Sequence, residues 1–148
     1  MSILLTTDVW KEISTAATNG QQPAHVAVAY FGQKGPHLLP LSKGSSLVVD
    51  ASILTVAQGS TCPAALEQLR QKGVDVYSTQ YLHAKVFAFD TVGFVGSANA
   101  SHNSASNLIE ALLKVETKQE IFAIRKFVES LCVTQLSGID LKEGRFLQ

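Results

Sequence analysis

Surplus charge of either sign is missing from this chain. Among 148 residues, 12 lysines and arginines balance 12 aspartates and glutamates, for a formal net charge of zero. A protein that grips nucleic acid unaided usually carries a basic surplus, because phosphate neutralisation supplies much of the affinity. Any nucleic-acid partner must therefore be held by a local basic cleft, another domain or another subunit. Cysteine is scarce as well: Cys62 and Cys132 stand 70 positions apart, and neither lies in a metal-ligand spacing such as C-x2-C. They read as reduced, packed thiols rather than a disulfide. No run approaches the ~20 apolar residues of a membrane span. The start, MSILLTTDVWKEIS, lacks the basic and apolar regions of a signal peptide. A soluble, cytoplasmic protein is expected.

What the chain does have is core material. Hydrophobic residues make up 46% and charged residues only 16%, which argues for a compact fold and against disorder. The length suits one domain, spanning 1–148.

Periodicity supplies the elements. Thr6, Thr7 or Asp8 can cap a helix over VWKEISTAAT, with Val9, Ile13 and Ala16 on one stripe and Asn19-Gly20 closing it. Residues 24–31, AHVAVAYF, read as a buried strand. The Gly-, Pro- and Ser-rich stretch after it reads as a loop with one short extended piece, His37–Leu41. Leu47–Asp50 is a second strand, followed by a short helix or turn over ASILTVAQG. Pro63 opens a helix that Gly73 ends, and Val74–Ser78 is the next strand. Asn107–Val115 reads as a later strand. Thr117 begins a final helix with Ile121, Ile124, Phe127 and Val128 on one stripe. The tail from residue 134 reads as an edge strand or the start of a linker. The sum predicts an α/β fold, a mixed β-sheet sandwiched between helices.

Between these elements lie two short apolar runs, His83–Asp90 and Thr91–Ser97, expected to form a tight antiparallel hairpin around Asp90–Gly93. His83 and Lys85 are two apart and share a strand face, as do Ser97 and Asn99 beyond Gly96. A lysine inside a buried strand is costly without an anionic partner. An imidazole, an ammonium, a hydroxyl and an amide at one sheet edge suit the holding and attack of a phosphate. Asp90 is an odd number of residues from His83, so it belongs to the turn and stands outside the reaction. His25, His37 and His102 read as structural or peripheral, although His102, three residues past Asn99, is near enough to touch substrate. Trp10 and the phenylalanines read as core or interface, because no aromatic run interleaves with basic residues.

The pattern H-x-K-x4-D-x5-G-S-x-N, formed by His83, Lys85, Asp90, Gly96, Ser97 and Asn99, resembles the HKD signature of the phospholipase D superfamily. Glu110 stands where that family carries a carboxylate on the next strand. The resemblance covers about thirty residues directly. It implies a metal-independent phosphodiesterase with no cofactor. His83 would attack phosphorus and form a phosphohistidine. Lys85 and Asn99 would hold the non-bridging oxygens, with Ser97 as a further donor. Glu110 would accept a hydrogen bond from the His83 ring and fix its tautomer.

Two-motif relatives supply two histidines from one chain, and this chain has one motif. The resemblance therefore implies a homodimer with His83 of each subunit meeting at the two-fold axis. Single-motif relatives include small bacterial nucleases and the catalytic domains of restriction endonucleases. They point to DNA cleavage, with a separate recognition domain or subunit to offset the neutral charge. A phospholipase acting on lipid or another small phosphodiester is the second reading, and an inactive dimerisation module the third. The missing amphipathic helix argues against the lipid reading, and the intact motif argues against decay.

Overall fold

The computed structural model describes residues 2–143. Seven strands form one mixed sheet: β1 (Ile3–Leu5), β2 (His25–Val28), β3 (Ser46–Val49), β4 (Asp75–Ser78), β5 (Lys85–Ala88), β6 (Gly93–Gly96) and β7 (Leu112–Val115). Their spatial order is β1-β7-β6-β5-β2-β3-β4. β2, β3 and β4 run parallel, and the remaining neighbours pair antiparallel. Around the sheet lie α1 (Val9–Asn19), α2 (Gly35–Leu38), α3 (Ile53–Ala57), α4 (Pro63–Gln71), α5 (His102–Ser106), α6 (Lys118–Leu131) and α7 (Gly138–Glu143).

The side-chain alternation of strands divides the core in two. Val26, Val28, Leu47, Val49 and Phe87 point to one face, where they meet Val9, Trp10 and Ile13 of α1 and Leu66 and Leu69 of α4. Ala27, Val48 and Ala88 point to the other face and meet Ile121, Ile124 and Val128 of α6. The expected sandwich is the observed one, with helices on both faces of a mixed sheet. The Trp10 and Phe87 rings meet edge to face, with centroids 5.8 Å apart.

The direction of each strand decides where the chemistry can gather. The carboxyl ends of β2, β3 and β4 share one sheet edge. Val28 pairs with Lys85 and Gly96 pairs with Leu112, which brings the start of β5, the end of β6 and the start of β7 to that same edge. Loops from six strands thus converge there. Gly96 is essential to the convergence: a Cβ at this position would sit 2.1 Å from the Ala111 carbonyl oxygen. No side chain fits between β6 and β7 here.

Several sequence expectations need correction. The stretch His37–Leu41 is not extended; its first residues close the one-turn helix α2, with Pro36 in its first turn. β1 was not foreseen, because three residues give no readable alternation, and it is held as an edge strand by β7. The strand expected over Asn107–Val115 is confined to β7, and α5 and a loop precede it. Phe127 is 44% exposed and lies off the buried stripe of α6. Asp8 adopts φ 51°, and its side chain caps nothing; its backbone carbonyl accepts from Lys11 and Glu12 instead. In the tail, Gln135 bridges Tyr77 at the β4 edge before α7 begins. The rest of the tail, 144–148, lies outside the described residues.

Candidate active site

His83 lies just before β5, on the connection from β4, and is exposed. Tyr81, two residues earlier, takes φ 69°, a left-handed conformation that costs a non-glycine residue roughly 1–2 kcal/mol. The turn is pinned by Leu82, whose side chain is buried and whose N–H bonds to the Thr79 carbonyl at 3.3 Å. This bend carries His83 out of the strand and over its first residue, Lys85.

Lys85 is 9% exposed. Its Nζ donates to the His83 carbonyl oxygen at 2.9 Å and lies 3.2 Å from His83 Nε2. A charged ammonium has hydrogens but no lone pair, so it can only donate in this contact, with Nε2 as its acceptor. Burial lowers the Lys85 pKa from its usual value, and the Glu110 charge opposes that shift by raising it.

Asn99 is half-buried past the end of β6. Its Oδ1 accepts from the Tyr30 backbone N–H at 3.1 Å. With the oxygen so engaged, the NH2 is the part of the amide left to donate.

Ser97 and Glu110 form the other half of the cluster. Ser97 Oγ donates to Glu110 Oε1 at 2.8 Å and accepts from the Ala111 N–H at 3.0 Å. The second carboxylate oxygen accepts from Ser104 Oγ, which in turn accepts from Trp10 Nε1 at 3.2 Å. Glu110 and Ser104 are both buried. These contacts differ from expectation in two ways. The hydrogen bonds on Glu110 come from Ser97 and Ser104, while the His83 ring contacts Lys85. A serine hydroxyl has one hydrogen, and that of Ser97 goes to Glu110 rather than outward. Glu110 itself precedes β7 on a loop, so strand alternation did not apply to it.

Asp90 sits at the far end of the hairpin, as its parity suggested. Its carboxylate accepts from the N–H groups of Gln21 and Gln22, at 2.8 and 3.0 Å, and fastens the segment after α1 to the turn. His102 is exposed on α5, with Nδ1 3.5 Å from Ser106 Oγ. His37 is exposed on α2. His25 packs on β2 beside Arg125 and Glu129, away from the cluster.

Sequence reasoning missed Ser104 and read Trp10 as core or interface, with no link to the site. A signal for Ser104 was present in Ser101-x-x-Ser104, a helix-capping pattern: Ser101 Oγ accepts from the Ser104 N–H at 3.1 Å. A groove of about 440 Å³ runs beside this part of the site, lined by Trp10, Lys11, Ser104, Leu108, Ile109 and Glu110 among others. Another concavity, of about 260 Å³ around Asp90 and Glu116, lies at the opposite sheet edge. It contains none of the cluster. Among the described residues, no three of His, Cys, Asp and Glu gather as a metal site, and no helix is long and apolar enough to cross a membrane.

Known structures share the architecture that carries this cluster. NucT from Helicobacter pylori matches over 93% of this chain and 98% of its own, at a TM-score of 0.72 and 15% identity. Nuc from Salmonella typhimurium, a phospholipase D family member, matches over 92% and 96% respectively, at 0.74 and 10% identity. TrmBL2, an archaeal chromatin protein, matches over 87% of this chain and 51% of its own, at 0.59 and 6% identity. At such identities the likeness speaks for the fold alone. No curated protein matches the sequence. The family model for the cardiolipin synthase, PLD-like domain matches residues 6–132. With that match spanning most of the sequence, the chain belongs to the phospholipase D superfamily, a family of phosphodiesterases and nucleases.

Proposed function

We propose that this protein is a metal-independent endonuclease that cleaves DNA through a phosphohistidine, at a site completed by a second copy of the chain. The observation that carries the reading is the His83–Lys85 pair, an exposed imidazole whose Nε2 lies 3.2 Å from a buried ammonium. A lysine is not buried at a strand start without cause, and an anion bound beside it would offset the cost of burial.

The reaction has two halves. When a phosphodiester binds, Lys85 Nζ leaves Nε2 for a non-bridging oxygen, and the Asn99 NH2 takes another. Nε2 then attacks phosphorus; a P–N bond forms, the P–O bond to the leaving oxygen breaks, and an acid protonates that oxygen. The acid, now deprotonated, then takes a proton from water as that water attacks phosphorus, and the P–N bond breaks, which frees His83. The leaving oxygen needs an acid that this cluster does not spare. His83 of a second copy, in its protonated form, is the proposed donor.

Two features support assembly and a polymeric substrate. His83 and Ser97 are exposed, so the site is an open surface that admits a long chain. Its rim carries exposed apolar side chains: Tyr81 at 85%, Leu108 at 53% and Ile109 at 100%. Exposed apolar groups clustered around a site mark an interaction surface. The neutral chain charge favours target delivery by a separate recognition domain or subunit.

The test is plasmid cleavage by the purified protein in excess EDTA, with His83→Ala alongside. Nicking in EDTA that disappears in the variant supports the reading. Absence of cleavage by a dimeric wild-type protein, on plasmid and on lipid or small phosphodiester substrates, overturns it. Turnover of lipid alone would favour the phospholipase reading.

A further inference from the structure

The hydrogen bonds behind the candidate site run in one direction. Trp10 Nε1–H donates to Ser104 Oγ at 3.2 Å, and the Ser104 hydroxyl donates to one oxygen of Glu110. From the other side the Ala111 N–H donates to Ser97 Oγ at 3.0 Å, and the Ser97 hydroxyl donates to the other oxygen at 2.8 Å. Each hydroxyl has a single hydrogen and uses it on the carboxylate. Every donor in the chain therefore points at Glu110, which accepts on both sides.

The anchors are rigid. Trp10 is 4% exposed on α1, with its ring against Phe87 at a centroid distance of 5.8 Å. Phe87 lies on β5, two residues after Lys85 and on the same face. Ser104 is 3% exposed, and its backbone N–H is held by the Ser101 side chain at the start of α5. By contrast, Glu110 lies before β7, which begins at Leu112; its backbone is anchored through its neighbour Ala111, which bonds to Ser97 by both its N–H and its carbonyl. The loop before it includes Leu108 and Ile109, both exposed. Packing on that side cannot fix the carboxylate, so the two serines must.

We infer that Trp10 and Ser104 are positioning residues of the reaction: they hold the Glu110 carboxylate against Ser97 and in range of Lys85. The inference rests on the phosphodiesterase reading and adds to it a support running from α1 through α5 to the phosphate-binding ammonium. Buried hydroxyl networks of this kind work as a unit. If Ser104 loses its hydroxyl, one carboxylate oxygen loses its donor and the Glu110 side chain is held through Ser97 alone. The charge that faces Lys85 then moves away. Glu110 and the contacting His83 are the groups acting on Lys85.

The experiment uses the full chain in three forms: wild type, Ser104→Ala and Trp10→Phe, the last keeping an aromatic ring but losing the Nε1–H. Two readouts are taken, steady-state cleavage of a short DNA oligonucleotide and titration of the Lys85 side chain by NMR. We expect kcat to fall about tenfold or more in Ser104→Ala, on the scale of a small misplacement of a reacting group. KM should stay within about twofold. The Lys85 titration should move to lower pH in both variants, and less far in Trp10→Phe. A role confined to stability would lower the unfolding temperature and leave both readouts alone; that result overturns the inference. If Ser104→Ala does not fold, Trp10→Phe decides by the same criteria. If the wild type cleaves no DNA, the endonuclease reading fails while the Lys85 titration still decides whether the network holds Glu110.

Discussion

Lys85 Nζ reaches both the carbonyl oxygen and the ring Nε2 of His83, at 2.9 and 3.2 Å. One ammonium thus braces the backbone of the proposed nucleophile and occupies the ring nitrogen proposed to attack. This gives Lys85 two opposing effects, a cost to folding and a gain to catalysis.

Lys85→Met separates them. Alone, the substitution leaves the buried Glu110 carboxylate without the ammonium, so it is combined with Glu110→Gln; replacing both charges by neutral side chains is often neutral or stabilising by about 1 kcal/mol or more. Loss of transition-state charge stabilisation should reduce turnover roughly 100- to 1,000-fold. We expect an unchanged or raised urea midpoint with activity nearly lost. A protein that is both inactive and strongly destabilised would contradict this division of roles.

The same lysine should shape the alkaline pH profile. Burial lowers its pKa from the usual 10.5, and Glu110 pulls it back up. Activity that needs the ammonium should thus fall at a pH below the ordinary lysine value. Glu110→Gln removes the upward influence, so its alkaline limb should lie lower still. A limb that stays put or moves up would show that Glu110 does not act on Lys85. Stability follows the linked sign: above the folded-state pKa the unfolded chain binds more protons, so stability rises with pH towards 10.5.

Asp90 is part of the motif by spelling, yet its carboxylate is taken up by the backbone N–H groups of Gln21 and Gln22 beyond α1. Asp90→Ala should cost about 1–2 kcal/mol in chemical denaturation, the scale of leaving hydrogen-bonded amide groups without an acceptor. Its kcat per folded molecule should equal that of the wild type. A large loss of kcat with intact stability would return Asp90 to the chemistry.

His25 offers an acid-side test away from the site. Burial is the main cause lowering its pKa from 6.5, Arg125 adds to this, and Glu129 opposes it. The folded chain therefore releases this proton more readily than the unfolded one. Stability contributed by neutral His25 is present above pH 6.5 and is lost as the pH falls towards the folded-state value. We expect the urea midpoint to drop between pH 7.5 and 5.5, and to drop less in His25→Gln. Equal slopes in the two proteins would rule the effect out.

The parts of this account legible in sequence are those fixed at short range. Lys85 and the turn at Asp90 needed only strand alternation and turn chemistry, whereas His83, expected on the strand, lies before β5 on a bend at Tyr81 that no local pattern announced. Glu110 was found by family resemblance, but its partners were not. Between Ser97 and Glu110 the chain leaves the sheet and forms α5, and across such an excursion parity carries no information. The Trp10–Ser104 bond spans 94 positions; no local pattern specifies a contact of that range. β1 escaped notice because an edge strand of three residues is made by its neighbour rather than by its own propensity.

The central claim is that His83 bonds covalently to phosphorus, and rapid quenching tests it most directly. Wild-type protein and a DNA oligonucleotide are mixed, quenched within a turnover and analysed by intact-protein and peptide mass spectrometry. The account predicts an acid-labile nucleotidyl adduct on the peptide containing His83, absent from His83→Ala. Product formation under the same conditions with no adduct at any time would contradict it, and would point to direct attack by water.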